Sequence, residues 1–199
     1  MVLSEWEKIL SYLRSVREVS FDEHAYPINE EEGLIIYSLT FLVSSKFNSL
    51  KVFEAGSGVG YSTLWFLLAL KEVGSGLIYA VDRSERKIGK LISHVRKLGL
   101  ENYLKTIVGD AVEVAKEVEE DFLIVFIDIE KHRYIELFKA VEDKVVPGGL
   151  VLAHNAWMAS SYVKWIKNRN GWKTIVVPST GGLVLTVKQN IATGYYYYG

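Results

Sequence analysis

The chain has 199 residues, 49% hydrophobic and 24% charged, with a formal net charge of −1 and no cysteine. This length and balance predict one globular domain and exclude disorder, while the missing thiols exclude disulfides, thiolate zinc sites, iron–sulfur clusters and cysteine nucleophiles. The near-neutral charge lacks a nucleic-acid binder's basic surplus, no apolar run approaches a membrane span, and Glu5, Glu7 and Lys8 break any signal-peptide pattern, so a cytoplasmic protein with no membrane or nucleic-acid partner is expected.

Trp6, Ile9, Leu10, Leu13 and Val16 recur at helical spacing, so residues 4–18 predict an amphipathic helix, a packing element and a candidate homodimer contact. Asn29 is placed to cap a second helix over 29–46, whose three opening glutamates suit the positive helix end. Apolar runs then alternate with helix-period segments: Val52–Ala55, Leu77–Val81, Leu104–Val108, Phe122–Ile127 and Leu150–Ala153. That alternation is the mark of a parallel sheet covered on both faces. Ser84 can cap a helix that stops at Gly99, and Pro147-Gly148-Gly149 reads as a tight turn into the fifth run. Trp172–Val177 and Leu183–Val187 are separated only by Pro178–Gly182, a hairpin connection. The expected fold is α/β: a doubly wound, mostly parallel, seven-stranded sheet with an antiparallel C-terminal edge hairpin. It forms one domain, with helices over 1–48, a core over 49–188 and a tail over 189–199 that is given no role.

Between the first strand and a helix lies Glu54-Ala55-Gly56-Ser57-Gly58-Val59-Gly60-Tyr61-Ser62. Glycines there let the backbone turn sharply and let a ligand approach main-chain N–H groups at a helix terminus. The spacing is GxGxG rather than the GxGxxG of dinucleotide binders, which argues against a pyrophosphate and against a nicotinamide-dependent oxidoreductase. Glu54, Asp82-Arg83 and Gly109-Asp110-Ala111 end the first three strands, so acidic groups stand in register along the carboxyl edge where ligands of open α/β sheets bind. Singly, each carboxylate reads as a helix cap or a solvated loop. Together they repel phosphate and suit a cation, with Asp82 set to accept from both ribose hydroxyls and Asp110 from an adenine amine. S-adenosylmethionine, with its sulfonium, ammonium, ribose and adenine, fits this lining.

With Thr63-Leu64, Phe126-Ile127-Asp128 and Val146-Pro147-Gly148-Gly149, the motifs resemble those of class I S-adenosylmethionine-dependent methyltransferases over Ile28 to Lys188. More narrowly they resemble the catechol and caffeoyl-CoA O-methyltransferase group. The resemblance implies a Rossmann-like methyltransferase fold in which Glu54 and Gly56 shape the methionine pocket and Ser62 binds the methionine carboxylate. It places Asp82 on the ribose, Asp110 by the adenine and Asp128 near the amino group, with Ser57, Gly58, Gly60, Tyr61, Arg83 and Ala111 completing the cofactor site.

For catalysis the resemblance implies a metal-ligating Asp128 and a catalytic Lys131. An ammonium near a metal or in a dry pocket gives up its proton more easily and can then take one from an acceptor hydroxyl, whereas an exposed Lys131 would merely open a helix. The group's second metal pair is Asp-Asn after the fifth strand, but here Ala153-His154-Asn155 sets a histidine in the carboxylate's place. Magnesium is disfavoured, since a hard ion prefers oxygen. Asp128, His154 and Asn155 can instead hold a softer divalent metal. The preferred alternative is that no metal binds and His154 orients or deprotonates the acceptor; a histidine merely hydrogen-bonded at a strand end is the third. Trp157, Met158 and Tyr162 either wall an aromatic acceptor or join the core, and Lys87, Lys90, Arg96 and Lys97 read as a solvated face. The expected function is O-methyl transfer from S-adenosylmethionine to a small hydroxylated acceptor, aromatic acceptors included. An RNA or protein methyltransferase and a noncatalytic S-adenosylmethionine-binding protein are the alternatives.

Overall fold

The computed structural model describes residues 4–44, 47 and 50–190, so most of the expected tail, and the end of the expected second helix at Lys46, lie outside the described residues. Ser4 starts helix α1 (Glu5–Asp22): its hydroxyl accepts the Glu7 amide while the Glu7 carboxylate takes the Ser4 N–H. Asn29 and Glu32 exchange the same pair of bonds at the start of α2 (Glu30–Ser44). Both helices lean on α3 (Tyr61–Val73), which is buried from Tyr61 to Leu70.

Seven strands form one sheet: β1 (Lys51–Ala55), β2 (Leu77–Asp82), β3 (Leu104–Val108), β4 (Phe122–Ile127), β5 (Val145–Ala153), β6 (Trp172–Val177) and β7 (Leu183–Lys188). Their order is β3-β2-β1-β4-β5-β7-β6, with β7 antiparallel to both of its neighbours and every other pairing parallel. Alternate residues face opposite layers. Val52, Ile78 and Phe126 pack under α1, α2, α3 and α4 (Glu85–Lys97), while Phe53, Tyr79 and Val125 pack under α5 (Ala111–Glu117), α6 (Tyr134–Val141) and α7 (Ser160–Lys167). All of β4 is buried, because it is central and covered on both faces, and this explains its unbroken apolar run.

One expectation is corrected. Pro147-Gly148-Gly149 is not a turn but an outward bulge within β5: the pairing steps from Phe122 opposite Val145 to Ile124 opposite Leu150, so the extra β5 residues leave the ladder.

The chain winds from β1 outward to β3 and then crosses back to β4, so β1 and β4 are neighbours whose helices depart to opposite sides. The carboxyl ends of these two strands open the crevice in which an α/β sheet binds its ligand. Among the described residues no helix is long and apolar enough to cross a membrane.

Candidate active site

After β1 the backbone turns at Gly56 with φ +88°, and a Cβ there would lie 2.0 Å from the carbonyl oxygen of Asp128. The glycine loop is therefore pressed against the end of β4. Its first two amides, of Gly56 and Ser57, both donate to the Val81 carbonyl, which ties the loop to β2. Asp82 braces the far side, accepting from Gly58 N at 2.9 Å and Ser84 N at 2.8 Å while still lining the cleft. The Ser57 hydroxyl is buried with no partner.

Glu54 lies beneath the loop, fully buried, and accepts the hydroxyls of Ser62 and Thr63, each at 2.5 Å. Burial pushes its carboxyl up to about 7 despite those two donors. Glu54 and Ser62 thus spend their hydrogen bonds on each other, which departs from a Ser62 hydroxyl directed at a methionine carboxylate.

A cleft of about 340 Å³ runs along the carboxyl edge, walled by Gly56, Gly58, Asp82, Arg83, Ala111 and Asp128 and reaching Lys131 and Asn155. His24 and Tyr26, on the link between α1 and α2, roof it with positive φ values of 51° and 38°. Asp110 stands between the cleft-lining Gly109 and Ala111 with its carboxylate engaged by the protein. It caps α5 through the amides of Val112 and Glu113 and is gripped by Arg133 at 2.6 and 3.0 Å and by Arg83. Arg133 first, then Arg83, hold its carboxyl well below the usual range. Arg83 also reaches Glu130 at 2.6 Å.

Deeper in the site runs a chain of ionic contacts. Lys131 Nζ donates to Asp128 Oδ1 at 2.9 Å, to the Tyr134 hydroxyl at 2.8 Å and to the Ile129 carbonyl at 3.2 Å. The Tyr134 hydroxyl in turn donates to the His154 carbonyl at 3.0 Å. His154 is buried, with Nδ1 3.2 Å from Asp128 Oδ2 and Nε2 3.2 Å from Glu32 Oε2. Glu32 also accepts the Ser179 hydroxyl at 2.5 Å and the Asn29 amide at 2.9 Å. Burial opposes both charges, yet the partners outweigh it: His154 is raised to about 9 and Glu32 lowered to about 2.

A carboxylate 3.2 Å from each ring nitrogen favours the doubly protonated imidazole, which has no lone pair to offer. That arrangement differs from the one an acceptor base or a metal ligand needs. Each Asp128 oxygen already faces a positive group, so Asp128, His154 and Asn155 do not fit a divalent metal. Among the described residues no group of three or more histidine and acidic side chains is arranged to hold a metal ion.

Glu32, Tyr134, Arg133 and Ser179 were not marked as site residues by sequence reasoning. Only Glu32 carried a readable signal, as the fourth member of the Asn29-x-x-Glu32 capping box. Of the suggested acceptor wall, Tyr162 is core, set edge-on to Tyr134, whereas Trp157 and Met158 are exposed and lie outside the cleft.

A family model described as a methyltransferase domain matches residues 53–156, the stretch from β1 through the ion chain. The chain belongs to this methyltransferase family. It is 28% identical over 160 residues to caffeoyl-CoA O-methyltransferase 2 of Populus trichocarpa, an alignment covering 76% of this chain and 62% of that one. It is 24% identical to the catechol O-methyltransferase of Niastella koreensis, covering 76% and 66%. This methyltransferase thus spans less than two thirds of the length of those relatives. Its fold matches that of the O-methyltransferase TomG from Streptomyces achromogenes, solved in complex with SAM, with a TM-score of 0.78 at 18% identity over 95% of this chain and 92% of that one.

Proposed function

We propose that this methyltransferase transfers the methyl group of S-adenosylmethionine to a hydroxyl oxygen of a small acceptor, aromatic acceptors included. The observation that carries the reading is that one cleft joins the glycine loop and Asp82 to Lys131. The names of the relatives, caffeoyl-CoA and catechol O-methyltransferase, support oxygen as the acceptor atom, and the SAM bound to TomG supports the donor. The residues present fit that donor. Asp82 has carboxylate lone pairs left for ribose hydroxyls, the Ser57 hydroxyl lacks a partner, and Gly109 and Ala111 leave space beside the third strand for a flat base.

When bound, the cofactor supplies an electrophilic methyl on positive sulfur. Asp82 places negative charge along the wall that would face it, and the tight loop would restrict its position, which favours an in-line attack. Lys131 stands at the same wall. Once Nζ has released one of its own protons to solvent, it would accept the acceptor's hydroxyl proton as the methyl moves from sulfur to that oxygen. Asp128 and Tyr134 hold Nζ in place for that step.

A cytoplasmic location belongs to the same proposal, on the strength of the cysteine-free, mixed-charge composition. So does a homodimer through the amino-terminal helices, where Trp6, Leu34, Phe41 and Leu42 leave apolar surface exposed.

Calorimetry with S-adenosylmethionine and with NAD, followed by transfer of labelled methyl to a panel of phenols, tests the reading. Saturable heat with the first ligand only, and a labelled ether product, are expected. Absence of S-adenosylmethionine binding overturns it.

A further inference from the structure

We propose that the Glu32–His154–Asp128 clamp, with Lys131 on the free Asp128 oxygen, occupies the donors a divalent metal would need, so that this methyltransferase works without one. The inference rests on the transferase reading for its catalytic meaning, but its structural content stands alone.

The clamp joins three parts of the fold, and two of its members, Asp128 and His154, stand where the resemblance sets metal ligands. Glu32 comes from α2, Asp128 from the end of β4 and His154 from the end of β5. Asp128 is saturated with positive neighbours, His154 on one oxygen and Lys131 on the other. An ion approaching it would meet Lys131 Nζ and the His154 ring before it met a free Asp128 oxygen. The space is also filled. The turn between β6 and β7 closes over the ring, so that a Cβ on Gly181 would lie 2.7 Å from His154 Nε2 and 3.3 Å from Glu32 Oε1. A hard divalent ion needs about six oxygen ligands, several of them water, and on the Glu32 side of the ring this packing leaves no room for that shell.

With the metal gone, the acceptor is oriented by hydrogen bonds at the Lys131 wall rather than by chelation. Chelation requires two adjacent oxygens; a hydrogen bond requires one. A single hydroxyl on the acceptor is therefore sufficient.

The full chain, stripped with a chelator and dialysed, is titrated separately with Mg²⁺, Mn²⁺ and Zn²⁺ in the calorimeter, and its thermal midpoint is measured with each metal and with EDTA. No saturable isotherm and no shift in midpoint are expected, with methyl transfer unchanged by EDTA. In His154→Asp the imidazole is replaced by a third carboxylate, and its midpoint is expected to fall in EDTA and to rise saturably with Mn²⁺. A one-to-one isotherm in the native chain that His154→Gln abolishes overturns the proposal, as does activity lost in EDTA and restored by metal. S-adenosylmethionine titrated into the same stripped protein reads the transferase assignment separately, because the metal isotherm is decided whether or not the cofactor binds.

Discussion

Gly56 tolerates no side chain, because its left-handed backbone and the Asp128 carbonyl 2.0 Å from any added Cβ exclude one together. Gly56→Ala must push the loop off β4, and it is expected to abolish S-adenosylmethionine heat in calorimetry while destabilising the fold by a few kcal/mol, on the order expected for combined strain and overpacking. Glu54 makes a different demand. Its carboxyl is raised in the folded state by burial, with Asp82 and Asp128 adding to the rise, so its contribution to stability is full below the unfolded value of 4.5 and is lost as pH climbs through about 7. Denaturant melts at a series of pH values should show the native chain losing on the order of 3 kcal/mol relative to Glu54→Gln between acidic and mildly alkaline pH. Parallel curves for the two proteins would mean that the carboxyl ionises as it does in water. Lys131 has three acceptors around Nζ and a face on the cleft. Lys131→Met should lower kcat by about 10²- to 10⁴-fold with the affinity for S-adenosylmethionine unchanged, which is the signature of lost proton transfer.

The turn between β6 and β7 does more than join two edge strands. Its Ser179 hydroxyl reaches Glu32, 147 residues earlier, and its Gly181 backs onto His154. Ser179→Ala removes a hydrogen bond to a buried carboxylate and should cost about 2 kcal/mol in urea unfolding, with Ser179→Thr recovering part of it. This turn also marks where sequence reading succeeded and where it stopped. The strand runs were legible because burial on both faces of a parallel sheet leaves an unbroken apolar stretch, as in β4, and Ser84 capping α4 was legible because a cap acts across a few residues. Glu32 was legible only as the partner of Asn29. That the same carboxylate also grips His154 depends on α2 folding back across the sheet, and no local pattern records it. Asp110 is a related case: its position at the end of β3 was legible, but the contacts its oxygens make with Arg83 and Arg133, from two other segments, were not.

Charge across the protein bears on an RNA substrate. The net charge is −1, and several basic groups near the cleft are paired with acids: Arg83 and Arg133 with Asp110, Arg86 and Lys90 with Glu23. On the same face of α4 Lys97 lies over the Tyr12 ring and Arg96 is 3.9 Å from Glu101, while Lys87 lines the cleft beside the His24 carbonyl. Counterion release drives protein–RNA affinity, so an acceptor RNA held by four phosphate contacts would weaken with salt at a log–log slope of about −3. Methyl transfer to a small phenol gains nothing from that term. Its KM should stay within about twofold as NaCl rises from roughly 50 to 200 mM, and a labelled single-stranded RNA should show no saturable anisotropy change at micromolar protein. A slope near −3 with saturable RNA binding would instead require the arginines to leave their carboxylates, freeing Asp110 for a base amine and making the cleft the end of a longer nucleic-acid track.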